Sequence, residues 1–112
     1  MDILFRDKKL LKCANDHRKA QKTMGQLRAK KFVSRLTELR DADCLEDLRN
    51  LPQAGFHELK GDRKGELAGN LDHPYRLIFE PFHDPVPQLE AGGLDWKAVT
   101  AVEITEIVDY HE

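Results

Sequence analysis

Residues 29–40 read Ala-Lys-Lys-Phe-Val-Ser-Arg-Leu-Thr-Glu-Leu-Arg, and their apolar members recur at intervals of three and four. This spacing places the apolar side chains on one face of an α-helix, as in helices that pack on a core. They are Ala29, Phe32, Val33, Leu36 and Leu39. The basic residues fall mostly off that face and include Arg28, Lys30, Lys31 and Arg35. We predict an amphipathic helix that ends near Arg40.

The residues before this helix predict a strand and a first helix. Ile3-Leu4-Phe5 is a short apolar run of the strand type. Asp7 is a suitable N-cap for apolar residues that follow helical spacing through about Thr23. Gly25 then marks the break between the two helices. We therefore expect one strand followed by a hairpin of two helices.

The residues after the helix predict a sheet. Asp43 can cap a short helical turn that Pro52 closes. Strand-like segments then follow at residues 56–59, 66–71, 75–80 and 100–110. Because the first two connections are too short for a parallel crossover, we predict antiparallel pairing. The predicted fold class is α+β, with two N-terminal helices packed on an antiparallel β-sheet.

Length and composition predict one domain. A chain of 112 residues with 40% hydrophobic content supplies a single core, so we assign residues 1–112 to one domain. A long loop at 81–97 is inserted between the last two strands.

Cys13 and Cys44 match no metal-ligand spacing and are expected to stay reduced. No apolar stretch reaches membrane-spanning length and the N-terminus is charged, so we expect a cytoplasmic protein without membrane contact.

Charge is distributed unevenly along the chain. Residues 1–40 contain 12 Lys and Arg against 4 Asp and Glu, a balance of +8, whereas residues 41–112 contain 6 against 16, a balance of −10. A basic N-terminal third is typical of proteins that contact a phosphate backbone. A pair of amphipathic helices with a solvated lysine face has the same composition. Charge alone does not decide between these two interpretations.

The last strand carries polar side chains at its end. Strict alternation puts Val102, Ile104, Val108 and Tyr110 on one face. The other face then carries Glu103, Thr105, Ile107, Asp109 and His111. A β-bulge near Glu106 and Ile107 would reverse this assignment for the residues that follow it.

A second polar segment lies in the middle of the chain. His57 and Lys60 lead into the turn Lys60-Gly61-Asp62-Arg63-Lys64-Gly65, whose glycines let the backbone approach a phosphate closely. Cleaving RNA without a metal requires a base for the 2′-hydroxyl, positive charge around the phosphorus and an acid for the departing 5′-oxygen. Histidine suits both proton transfers because its pKa lies near neutrality.

These segments together resemble a known family. Gly55-Phe56-His57-Glu58-Leu59-Lys60-Gly61, then Tyr75-Arg76-Leu77-Ile78-Phe79, then Asp109-Tyr110-His111 are similar to the HigB branch of the RelE/ParE toxins. The resemblance covers most of the chain. It implies a curved antiparallel sheet backed by two N-terminal helices.

The resemblance also implies roles for individual residues. His57 and His111 are the implied acid/base pair, with Asp109 orienting an imidazole or placing the nucleotide. Tyr110 would stack on a base or donate a hydrogen bond, although a core aromatic fits as well. Lys60 and Arg76 would counter phosphate charge, with Arg63 and Lys64 as outer contacts. An ion pair between Arg76 and a glutamate of a neighbouring strand is the structural alternative. His17, His73 and His83 match no site pattern, and we interpret them as structural.

The function that the resemblance implies is that of a toxin in a type II toxin–antitoxin pair. Such a toxin enters the ribosomal A site and cuts the messenger RNA there, without a metal or other cofactor. Its implied partners are a helix-turn-helix antitoxin of the HigA type, the ribosome and messenger RNA, with operator DNA reached only through the antitoxin complex. Two alternatives use the same scaffold: a ParE-like protein that inhibits DNA gyrase by binding, and a degenerate toxin that acts only as a corepressor with its antitoxin.

Overall fold

Helices cover one face of a five-stranded sheet in the computed structural model, which describes residues 1–109. The strands are β1 (Asp2–Phe5), β2 (His57–Glu58), β3 (Leu67–Asn70), β4 (Tyr75–Pro81) and β5 (Ala101–Asp109). The helices are α1 (Lys8–Asn15), α2 (His17–Met24) and α3 (Gln26–Asp41). Short 3₁₀ turns lie at Leu45–Leu48, Gly61–Arg63 and Trp96–Ala98. The predicted α+β class is confirmed.

The sheet has the order β1-β5-β4-β3-β2 and is mixed. β2, β3, β4 and β5 form an antiparallel meander, as predicted from their connections. β1 pairs with β5 in parallel, with Ile3 opposite Val102, so the prediction of a wholly antiparallel sheet is wrong at this edge. The connection from β1 to β5 contains the three helices and the other three strands, which is ample length for a parallel pair.

The helical segment contains three helices where two were predicted. Asp7 caps α1, as predicted, because its carboxylate accepts from the N–H groups of Lys9 at 2.7 Å and Leu10 at 3.2 Å. The continuous helix expected through Thr23 is wrong, because Asp16 adopts extended angles (φ −141°, ψ 102°). Its carboxylate accepts from the N–H of Lys19 at 3.3 Å and so caps α2.

α3 lies where its periodicity predicts it. The apolar residues Ala29, Phe32, Leu36 and Leu39 are buried. Arg35 is the exception to the predicted pattern, because only 4% of its surface is exposed although it was placed off the apolar face. Gly25, at φ 84°, makes the break between α2 and α3 that the sequence predicts.

A β-bulge in β5 changes which side chains share a face. Ile78 pairs with Glu106 but Phe79 pairs with Ile104, so Thr105 is the extra residue. The bulge predicted near Glu106 and Ile107 is therefore present one residue earlier. As a result Ile107 packs on the main core beneath the helices, and Val108 packs on the opposite face. Strict alternation was wrong for both.

The sheet buries a small second cluster on the face away from the helices, which we call the open face. Leu59, Ala68 and Ile78 are buried there, with Val108 packed against them. The larger core lies between the helices and the other face.

The connection at 81–97 is a folded loop. Trp96 is buried and its Nε1 donates to Glu58 Oε2 at 3.0 Å, which joins the loop to β2. His83 Nε2 accepts from the N–H of Thr100 at 3.0 Å.

In the earlier 3₁₀ turn, at Leu45–Leu48, Cys44 occupies the cap position that the sequence assigned to Asp43. Within residues 1–109, no helix is both long and apolar enough to cross a membrane.

Candidate functional site on the open face

His57 lies at the edge of the open face with one ring nitrogen already engaged. It pairs with Ala68 across β2 and β3, so both side chains point to the open face. Its Nδ1 lies 2.8 Å from the carbonyl oxygen of Gly55. A carbonyl only accepts, so Nδ1 carries the proton and Nε2 of the neutral ring keeps its lone pair. That nitrogen is available to accept a proton from a substrate.

The segment before His57 is held from behind by a buried arginine. Nη1 of Arg35 donates to the carbonyl oxygens of Gln53 and Asn70, both at 3.1 Å. Its Nη2 donates to Glu38 at 3.2 Å, while its Nε lies 2.8 Å from the same carboxylate at an angle too bent for a hydrogen bond. The N–H of Asn70 in turn donates to the carbonyl of Ala54 at 2.7 Å. Arg35 therefore links α3 to the residues that position the imidazole, and its role was missed in the sequence.

Aromatic packing fixes the same segment. The ring of Phe56 stands edge-on to Phe79, with centroids 5.8 Å apart. It also lies directly over Gly69, where a Cβ would come within 2.7 Å of the ring. Only glycine leaves room for Phe56 at this position of β3. His57 follows a residue that is packed on both sides.

The turn after β2 presents two lysines and one neutralised arginine. Gly61 and Gly65 take the left-handed angles that the sequence predicts, at φ 64° and 99°. Lys60 and Lys64 are exposed and form no ion pair with any residue of the described chain.

Arg63 behaves differently from those lysines. Its Nη1 donates to Glu66 at 3.0 Å and to Glu106 at 3.3 Å, so two carboxylates already balance its charge. These contacts hold the turn across the open face to β5. The geometry thus gives Arg63 a structural role beside the predicted phosphate contact.

Arg76 lies on the same face as His57. It pairs with Asn70 on β3 and with Val108 on β5, in the row next to Ala68 and Ile78. From the spacing of strands and residues, its Cα is roughly 12 Å from that of His57. A polynucleotide lying along the open face would meet both side chains.

Asp109 lies on the other face of the sheet. It pairs with Tyr75, whose ring packs on the main core, so its side chain points to the helix-bearing side. Three strand spacings, about 14 Å in total, separate β5 from β2. The structure therefore does not bring Asp109 and His57 together. Tyr110 and His111 lie outside the described residues.

Arg28 forms an ion pair beside Tyr75. Its Nε and Nη2 donate to the two oxygens of Asp72 at 2.9 and 3.1 Å, and its guanidinium lies 3.4 Å from the centroid of the Tyr75 ring. The hydrogen bonds to Asp72 raise the pKa of Arg28 above its ordinary value. The guanidinium therefore stays charged, and α3 stays tied to the turn between β3 and β4.

A second arginine balances acids at the far end of the open face. Arg6 donates to Glu103 at 2.7 Å and also contacts Glu80. These hydrogen bonds raise the pKa of Arg6. The acidic residues of β4 and β5 are thus neutralised in part by arginines from distant positions in the chain.

Two of the three histidines interpreted as structural make contacts in keeping with that interpretation. His83 accepts a backbone hydrogen bond, as described above, and His17 lies 3.3 Å from the amide of Gln21 on α2. His73 is exposed in the turn between β3 and β4. Residues 1–109 hold no group of three His, Cys, Asp or Glu side chains arranged as metal ligands.

No protein-family model matches the chain, and no curated protein matches it. Functional inference therefore starts from the residues of the open face.

Proposed function

We propose that the chain is the toxin of a type II toxin–antitoxin pair, of the RelE/ParE type and its HigB branch, and that it cuts messenger RNA in the ribosomal A site. The observation that carries the proposal is the state of His57, because Nδ1 is bound to Gly55 and Nε2 is left to act as a base. A histidine with this orientation on the sheet face away from the helices fits proton transfer better than a purely structural role.

The reaction follows from the chemistry of RNA. His57 Nε2 takes the proton of a 2′-hydroxyl, whose oxygen attacks the adjacent phosphorus. The bond to the 5′-oxygen breaks, leaving a 2′,3′-cyclic phosphate, and a second group protonates the departing oxygen. We assign this role to His111, the other member of the acid/base pair that the resemblance implies. Lys60, Lys64 and Arg76 stabilise negative charge on the phosphate oxygens.

The helices supply a surface for the ribosome. Their basic residues are mostly exposed and form no ion pair with any of residues 1–109: Lys8, Lys9, Lys12, Arg18, Lys19, Lys22, Lys30, Lys31 and Arg40. Unpaired cations release counterions when they meet phosphates, which favours binding to ribosomal RNA. A helix-turn-helix antitoxin encoded beside the toxin would neutralise it and carry the complex to operator DNA.

A second candidate has a specific observation in its favour. Asp109 lies on the opposite face from His57, and Arg63 is neutralised by Glu66 and Glu106. A ParE-like protein that inhibits DNA gyrase by binding needs no converging acid and base. This candidate requires no chemistry from His57.

Expression in cells separates the two candidates. The wild-type chain, His57→Ala and His111→Ala are induced in turn, and the 5′ ends of messenger RNA are mapped. His17→Ala, which removes an exposed histidine of α2, is the matched control. Codon-phased cuts that are lost in the first two variants and kept in the control support the nuclease. Growth arrest with intact messages and trapped gyrase cleavage complexes supports the gyrase inhibitor.

A further inference from the structure

The 81–97 loop exposes three large apolar side chains. Phe82, Val86 and Leu89 are between 39% and 50% exposed. The tip of the loop is nevertheless ordered, because the N–H of Leu89 donates to the carbonyl oxygen of Gly93 at 2.9 Å. A partner that binds the tip therefore does not have to order it first, which removes one cost of association.

The same loop is acidic. Residues 77–96 contain 4 Asp and Glu and no Lys or Arg, a balance of −4. Among these acids, Asp84, Glu90 and Asp95 form no ion pair within the part of the chain that the structure describes. They would repel RNA phosphates, and they would equally repel the loop of another copy. We therefore expect this surface to bind a partner that is cationic and partly apolar.

The other end of the sheet has the complementary character. The first turns of α1 and α3 and the last turn of α2 lie there, beside Tyr75 and Ile107. We call this surface the helical end. Its exposed side chains are two leucines and four lysines: Leu11, Leu27, Lys8, Lys12, Lys30 and Lys31.

The charge of the helical end is strongly positive. Residues 7–31 contain 9 Lys and Arg against 2 Asp, a balance of +7. None of the four lysines of the helical end pairs with a carboxylate among residues 1–109. Exposed leucines among unpaired lysines match the character that the acidic loop requires of its partner.

The strand β5 separates the two surfaces. It starts where the loop ends and finishes beside the helical end, and its nine residues span roughly 26 Å. β4 runs between the same two ends in the opposite direction. The loop and the helical end therefore cannot contact each other within one chain. The helical end that meets the loop has to come from another copy.

We propose that the 81–97 loop of one copy docks on the helical end of a second copy. Val86 and Leu89 would pack against the leucines of the helical end, and the carboxylates of the loop would face its lysines. Because the two halves of this contact are different surfaces, the contact is heterologous and leaves one half of each kind open for further copies. The proposal does not depend on RNA cleavage. Lys8 and Lys12 also belong to the surface proposed to meet ribosomal RNA, so a docked copy would cover part of that surface.

Sedimentation equilibrium of the full chain tests self-association. We expect dimers and larger species in about 50 mM chloride, and a dissociation constant that rises about tenfold or more in about 500 mM chloride, because salt screens the charges of both halves. A chain that stays monomeric at low salt up to its limit of solubility would overturn the proposal. That result would point to a different protein as the occupant of the loop.

Two complementary variants test which surfaces meet. The loop variant carries Val86→Ser and Leu89→Ser, and the helix variant carries Lys8→Glu and Lys12→Glu. Each variant has lost one half of the contact, so each alone should have a dissociation constant at least about tenfold higher than that of the wild-type chain. Mixed in equal amounts, the two should form a dimer with the wild-type dissociation constant, because each supplies the half that the other lacks. This dimer cannot grow, since it has no intact half left.

Val33→Ser and Arg40→Glu are the matched controls. Both change exposed side chains farther along α3, and both variants should associate like the wild-type chain. Thermal unfolding checks that every variant stays folded. A helix variant that associates by itself at wild-type strength would show that the helical end takes no part in the contact. A mixture of the two variants that stays monomeric would show that the two surfaces do not meet. Either result would overturn the proposal.

Discussion

The reactivity assigned to His57 depends on a single hydrogen bond. Because Nδ1 donates to the carbonyl of Gly55, the neutral ring should carry its proton on Nδ1. We predict that the ¹⁵N chemical shifts of the neutral imidazole report the Nδ1–H tautomer. His17, which has no such backbone acceptor among its described contacts, is the internal comparison. A proton found on Nε2 would remove the lone pair from the proposed base.

Arg35 is expected to stabilise the fold from beneath the site. Replacement by methionine removes the donors of two buried carbonyls and one partner of an ion pair, so Arg35→Met should lower the free energy of unfolding by about 3 kcal/mol. Urea denaturation measures the change. Arg40→Met, at an exposed position of the same helix, should change stability by no more than about 0.5 kcal/mol. Equal effects of the two substitutions would show that the buried contacts of Arg35 contribute little to the free energy of unfolding.

Contacts of individual side chains were the least predictable part of the site. The sequence suggested His57, Lys60, Lys64 and Arg76, all of which lie on or beside the open face. It did not suggest that Glu106 would balance Arg63, because the two are 43 residues apart. Nor did it indicate a buried Arg35, since two of the groups that its guanidinium binds are backbone carbonyls, which the pattern of side chains does not reveal.

The pairing of β2 with β3 depends on a close contact at Gly69. A Cβ there would lie 2.7 Å from the ring of Phe56, which is packed and cannot turn away. We predict that Gly69→Ala destabilises the chain by about 1–3 kcal/mol through overpacking. Adding Phe56→Leu, which shortens the opposing side chain, should make the double substitution less damaging than the sum of the two single ones. Thermal unfolding of the three variants completes the cycle, and strict additivity would contradict the contact.

Helices and strands were predictable where periodicity is regular. α3 and the strands of the meander lie at or near their predicted positions for that reason. The break at Asp16 was missed because apolar residues on either side of it keep helical spacing, and a side-chain cap is a local event that periodicity does not report. The position of the bulge at Thr105 depends on pairing with β4, so the sequence of β5 alone indicated only its neighbourhood.

The uneven charge should govern binding to RNA even though the net charge is −2. If the exposed lysines of α1 and α2 contact phosphates, affinity for RNA falls as salt rises. Each lost contact should reduce the slope of log affinity against log salt by roughly 0.7 to 0.9. We predict such a reduction for Lys8→Gln, Lys12→Gln, Lys19→Gln and Lys22→Gln combined, measured by fluorescence anisotropy. An unchanged slope would show that these four lysines face water and do not contact RNA phosphates.

Contacts between segments that are far apart in the sequence were predicted only at the level of layers, with helices packed on a sheet. The order of elements indicated that helices would cover one face and leave the other open. That β1 would pair in parallel with β5, and that the bulge would turn Asp109 away from His57, depended on the register of the whole sheet. A site whose side chains come from the middle and the end of the chain is therefore the part of the structure that the sequence predicts least well.

Cleavage by purified protein tests the central claim most directly. Ribosomes programmed with a defined message are mixed with the chain in the magnesium buffer that keeps the ribosome assembled, and the ends of the cut message are mapped and their terminal phosphates identified. The account predicts a single cut in the A-site codon that leaves a 2′,3′-cyclic phosphate, with a rate that falls roughly 100-fold or more in His57→Ala. His57→Ala that cuts as fast as the wild-type chain would contradict it.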